Sequence, residues 1–86
     1  MDTDETSTDN LRDLAEYIVR SLVDDPSQVQ VTQVRAEYMT MYELCVAPED
    51  VGLVIGRRGR TINAIRTVLR SAAGRLGKRV SVEIIS

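Results

Sequence analysis

The stretch Val54-Ile55-Gly56-Arg57-Arg58-Gly59-Arg60-Thr61-Ile62 decides how this chain is read. Two glycines three positions apart separate two apolar runs of helical spacing, and the residues between them are arginines. Glycine reaches left-handed backbone angles at low cost and lets another backbone lie against it. Gly56 is therefore expected to end one helix and Gly59 to open the next. The first N–H groups of that second helix lack intrahelical partners and carry the positive end of its dipole. An anion such as a phosphate fits that position. The plain alternative, a tight turn between helices, accounts for one glycine but not for two arginines in so short a link.

Downstream of the link, Ile62, Ile65, Leu69, Ala72 and Leu76 recur at spacings of three and four, the apolar stripe of one helix. Asn63, Arg66 and Arg70 form a second stripe on another face, and Gly74 and Gly77 close the helix. Val80, Val82 and Ile84 then alternate with Ser81, Glu83 and Ile85 as a terminal strand. Upstream, Ala47-Pro48-Glu49-Asp50 reads as a helix start, because proline suits the first helical position and two acids complement the dipole. Val51, Val54 and Ile55 are the apolar side of that short helix.

Two strands precede it. From Ser27 onward, Gln28, Gln30 and Thr32 alternate with Val29 and Val31, and the break at Gln33-Val34 points to a bulge or an early twist. Glu37-Tyr38 makes the turn into a second strand over about residues 39–46, where Leu44-Cys45-Val46 reads as covered on both faces. A first helix is expected over about residues 10–23, capped by Asp9 or Asn10, with Leu11, Leu14, Ala15, Ile18 and Leu22 as its stripe, stopping before Pro26. Residues 1–9 are polar and acidic with nothing to bury, which predicts a disordered tail ahead of one domain over residues 10–86. The order αββααβ implies an α+β fold whose helices cover one face of a three-stranded sheet.

Eighty-six residues suffice for a single domain with a small core. Trp and Phe are absent, so the core is aliphatic. Cys45 has no internal disulfide partner and reads as a small buried hydrophobe suited to a reducing cytosol. No run approaches the ~20 apolar residues of a membrane span, and the acidic N-terminus is no signal peptide.

The formal net charge of −2 conceals an asymmetry. Asp2, Asp4, Glu5 and Asp9 crowd the front of the chain. Between Val51 and Val82 there is no acid, while Arg57, Arg58, Arg60, Arg66, Arg70, Arg75, Lys78 and Arg79 are all basic. Such a face suits a polyanion, or is simply a solvated basic face. Enzymatic readings fare poorly. There is no histidine, so Cys45 has no imidazole base. The glycines match neither a Walker loop nor a dinucleotide fingerprint, and no metal or cofactor is expected. An aromatic stacking platform of the RNA-recognition-motif kind is excluded as well.

The link with its flanking isoleucines resembles the Val-Ile-Gly-x-x-Gly-x-x-Ile core of K-homology (KH) domains, and the αββααβ order resembles their type II, prokaryotic arrangement. From about residue 10 onward, the chain resembles the stand-alone bacterial KH proteins of the KhpA family, including their Ala-Pro-Glu-Asp-like helix start and C-terminal Val-x-Val-Glu-Ile strand. KH domains hold about four nucleotides of a single strand against the Gly-x-x-Gly loop. The resemblance therefore implies that the backbone of Gly56, Arg57, Arg58 and Gly59 clamps phosphates. Val54, Ile55 and Ile62 would line an apolar groove for bases, with Ile65 and the second strand near Leu44 to Val46 on its far side. Arg60, Asn63 and Arg66 would meet backbone or base edges. It further implies a cytoplasmic, non-enzymatic RNA-binding protein with an RNA-chaperone role. Such a protein forms homodimers, works with a larger partner of the KhpB type, and serves cell elongation and envelope homeostasis. The rival reading is a KH-like interaction or dimerisation module without RNA binding.

Overall fold

The computed structural model describes the backbone from Thr3 to Ile85 and the side chains from Asn10 to Ile85. Helix α1 runs Thr3–Leu22, so its backbone begins well before the expected start near Asn10. Of the disordered tail expected over residues 1–9, residues 1 and 2 and the side chains of 3–9 lie outside the described residues. Leu11, Ala15 and Val19 are the positions α1 buries, with Leu14 and Ile18 packed beside them. Val19 thus replaces Leu22, which is exposed. Leu22 shares the angle of Leu11 on a 3.6-residue helix, but as the last residue of α1 it lines an open furrow against α3 instead of the core.

Pro26–Gln28 form a single 3-10 turn, which delays strand β1 to Gln30–Arg35. Strand β2 covers Thr40–Cys45. The two pair antiparallel from Gln30↔Cys45 to Arg35↔Thr40 without a skipped residue, so the expected bulge is absent. The break in alternation has another cause: Val34 sits on the exposed face. Ala36 donates its N–H to the Met39 carbonyl at 2.8 Å, leaving Glu37-Tyr38 as the hairpin tip.

After β2, Pro48–Asp50 form a 3-10 turn that feeds helix α2, Val51–Ile55. Helix α3 spans Arg60–Arg75 and buries Ile62, Ile65, Leu69 and Ala73. Ala73 takes the place expected of Leu76, which is exposed. Gly77 closes α3 with φ +70, its N–H reaching Gly74 and that of Lys78 reaching Ala73, while Gly74 lies inside the helix. This paired arrangement satisfies the last carbonyls of the helix.

Strand β3, Val80–Ile85, pairs parallel to β2, giving the order β1-β2-β3. The register brings Val31, Leu44 and Ile84 into one row and Tyr42 beside Val82 in the next. These side chains face α1, α2 and α3 in one core, so the helices do cover a single face of a three-stranded sheet. Tyr42 is fully buried there, and the aliphatic core therefore has an aromatic centre. Cys45 is only half-buried, on the face away from the helices.

Candidate nucleic-acid interface

Helix α2 ends where its last turn meets Gly56, whose N–H bonds to the Gly52 carbonyl at 2.9 Å and whose φ is +75. A Cβ at Gly56 would collide with the Thr61 side chain and lie 2.9 Å from the Thr61 backbone nitrogen. Glycine is required here twice, by angle and by space. Arg57–Gly59 form one tight 3-10 turn, closed by the Gly59 N–H on the Gly56 carbonyl at 3.1 Å. Arg58 and Gly59 both have left-handed backbones, with φ of +56 and +74. A non-glycine residue in that region costs about 1–2 kcal/mol. Such strain collects at functional loops, where the surrounding structure enforces it.

The turn delivers the chain into α3 with Gly59 as N-cap, so no side chain caps the first turn. The Gly59 and Arg60 N–H groups are taken up by the Gly56 and Arg57 carbonyls, and the turn lies at the positive end of the α3 dipole. Arg57, Arg58 and Arg60 are exposed around this end. Among the described residues, the ion pairs lie on α1, between Arg12, Asp13, Glu16 and Arg20, so these three guanidiniums are uncommitted. The loop is thus a strained, cationic turn at a helix start.

The remaining expected residues divide. Val54 is 0 % exposed and belongs to the core, so it presents no groove surface and supports the loop from beneath. Ile62 is buried too, while Ile55 is half-buried and offers an apolar edge. Asn63 and Arg66 come together, with Arg66 Nη1 donating to Asn63 Oδ1 at 3.1 Å. Arg66 Nε also donates to the carbonyl of Val82 at 3.1 Å, which fixes the guanidinium against β3. Strand β2 lies in the middle of the sheet with Leu44 and Val46 buried, whereas β3 is the edge strand beside α3. Sequence patterns carry no strand order, which is why β3 was missed. Thr61, which fills the space above Gly56, was missed as well; its only signal is its place after the second glycine.

Among the described residues, no group of three or more His, Cys, Asp or Glu is placed to hold a metal ion. No described helix is long and apolar enough to cross a membrane.

Comparison with known proteins places this geometry. Residues 12–84 match the family description "KhpA/KhpB, KH domain". The RNA-binding protein KhpA of Clostridium acetobutylicum is 53% identical over 75 residues, covering 87% of this chain and 100% of that protein. The RNA-binding protein KhpA of Chlamydia caviae is 45% identical over 75 residues, covering 87% of this chain and 96% of its own. Among solved structures, a single-residue variant of Aquifex aeolicus Era bound to GDP.AlF4- aligns with a TM-score of 0.54 at 22% identity, over 86% of this chain and 30% of that one. That likeness concerns the fold alone. With the loop, the element order and the full-length relatives in agreement, the chain belongs to the KhpA/KhpB family of KH domains.

Proposed function

We propose that this protein binds single-stranded RNA, clamping its backbone at Gly56, Arg57, Arg58 and Gly59. The observation that carries the reading is the loop itself: three of its four residues have positive φ, and it opens α3 without a side-chain cap. Phosphates meet the positive end of the α3 dipole and the exposed guanidiniums of Arg57, Arg58 and Arg60. Bases lie over Ile55 and the rim of Ile62, toward Asn63 and Arg66 at the edge of β3. Val54 supports this surface without touching the strand.

In this reading, the protein acts in the cytoplasm as an RNA chaperone and post-transcriptional regulator, without catalysis. Family likeness extends this to control of cell elongation and envelope homeostasis, alongside a larger KhpB-type partner. A lone clamp of about four nucleotides has low specificity, and two joined copies gain avidity on one strand. A furrow between α1 and α3, lined by Ile18, Leu22, Thr61, Ala64, Ile65 and Val68, supports placing a second copy there.

The test is anisotropy of a labelled single-stranded RNA titrated with protein at rising salt. An RNA clamp loses affinity steeply as counterions compete. A protein that fails to bind at low salt, or whose affinity ignores salt, is instead an interaction module.

A further inference from the structure

A second cationic feature stands at the other end of α3. A cleft of about 230 Å³ opens between the β1–β2 hairpin tip and the link from α3 to β3. Arg35, Tyr38 and Met39 line it from the hairpin, Lys78 and Arg79 from the link, and Glu37 is its one acid. The two walls are held side by side. Thr40 donates its N–H to the Arg79 carbonyl at 3.0 Å, at the point where β2 begins to pair with β3. The Gly77 closure of α3 then turns Lys78 and Arg79 toward the hairpin.

Tyr38 is the odd residue. It is 80 % exposed, and nothing in the turn asks for an aromatic ring. Tight hairpin tips favour Asn, Asp and Gly. A tyrosine face held beside guanidiniums is the pairing that stacks a base and holds its phosphate. Arg35 and Arg79 are exposed and, among the described residues, make no ion pair.

The cleft also lies on a track from the loop. Helix α3 has 16 residues, so its two ends stand ~24 Å apart. Arg66 sits at the β3 edge beside Val82. One turn further along, Arg70 lines a shallow depression with Met39, Lys78, Arg79 and Val80. A strand leaving the Gly56–Gly59 loop along α3 therefore passes Arg66 and Arg70 before it reaches Tyr38.

We infer that this cleft is a second nucleotide subsite, in which Tyr38 stacks one base and Arg35 and Arg79 hold the adjoining phosphates. The inference rests on the RNA-binding reading above and extends it: the footprint exceeds the four nucleotides of the loop, and strands too short to span α3 do not use the cleft.

The experiment compares a 4-nucleotide and a 12-nucleotide single-stranded RNA by fluorescence anisotropy, on the parent protein and three variants. Tyr38→Ala is expected to weaken the 12-mer about tenfold and to leave the 4-mer unchanged. Tyr38→Phe keeps the ring and binds both as the parent does. Arg79→Ala lowers the salt slope for the 12-mer by about 0.7, one phosphate on a single strand. Circular dichroism should be native throughout, since each of these side chains is exposed. If the parent binds the 12-mer but Tyr38→Ala binds it equally well, the subsite is refuted and the loop clamp stands. If Tyr38→Ala weakens both lengths alike, the length argument is refuted. If the parent binds neither RNA, the clamp and the subsite fall together.

Discussion

Arg66 donates from Nε to the carbonyl of Val82 at 3.1 Å, and so a helix arginine covers the free edge of the sheet. The opposite edge has its counterpart, with Arg12 of α1 donating from Nε to the Val31 carbonyl at 3.0 Å. Strands β1 and β3 are the two edges of the sheet. Unpaired edge carbonyls invite pairing with another chain, and a covering charged side chain blocks it.

Arg66 consequently has a structural duty besides any contact with RNA. Replacing it with Ala should cost about 1–2 kcal/mol in urea unfolding, the scale of a half-buried hydrogen bond from a charged donor. Arg70, one turn along and exposed without a recorded partner, should cost less than about 0.5 kcal/mol when made Ala. Equal stabilities for the two variants would mean that the Val82 contact contributes nothing.

The two glycines of the loop should respond differently to alanine. Gly59→Ala meets ordinary van der Waals contact, 3.7 Å from Asn63 Nδ2, so only its left-handed angle is penalised. That penalty is about 1–2 kcal/mol. Gly56→Ala adds a collision with Thr61, and overpacking of this kind costs about 1–3 kcal/mol more. Because the Thr61 backbone nitrogen takes part, trimming Thr61 to Ser should not rescue it. Thermal melts of the three variants check the ranking, and a Gly56→Ala as stable as Gly59→Ala contradicts it.

Much of this was legible in the residues. Periodicity placed the helices and strands, and the glycines announced left-handed angles that Gly56, Gly59 and Gly77 do adopt. What stayed hidden depends on partners distant in sequence. Val19 and Leu22 are equally apolar, and only the position of α1 over the sheet chooses Val19. The absence of Trp and Phe suggested a purely aliphatic core, yet Tyr42 fills its centre. Asp50 is the clearest case. Its position before α2 suggested a dipole cap, but it makes no side-chain cap bond. Its Oδ2 accepts the backbone N–H of Asp25 at 3.0 Å, a contact made across the whole β1–β2 hairpin.

That contact yields its own prediction. Asp50 is 2 % exposed and fastens the link between α1 and β1 to the start of α2. Asp50→Ala leaves the Asp25 N–H without this acceptor and should cost about 1–3 kcal/mol. Asp50→Asn keeps an amide oxygen in place and should recover most of it. Denaturant midpoints with unchanged slopes would read the difference, and identical midpoints for Ala and Asn would assign the loss to packing alone.

Assembly can be probed at the furrow between α1 and α3. Val68 is 47 % exposed on its rim. If a second copy sits there, Val68→Glu buries a charge in the joint and should give a monomer where the parent gives a dimer, with RNA affinity for a short strand preserved. Light scattering at micromolar concentration reads both masses. A parent that is monomeric well above that range rules out the homodimer.

The loop supplies the sharpest test. Changing Arg57 and Arg58 to Asp leaves both glycines and their angles in place. Aspartate tolerates the left-handed region better than most residues, so Arg58→Asp does not add strain, and exposed substitutions usually stay within about 0.5 kcal/mol. The fold should survive with native circular dichroism. Binding should not, because two attractive charges become two repulsive ones beside the phosphate. Each such pair at ~4 Å is worth about 1 kcal/mol in water and more where water is partly excluded. A micromolar affinity amounts to only about 8 kcal/mol, so losing several of these removes detectable binding of single-stranded RNA. Arg70→Asp, farther along α3, should weaken the same complex only modestly. A double variant that bound as tightly as the parent would remove the Gly56–Gly59 loop as the site and leave the interaction module as the better account.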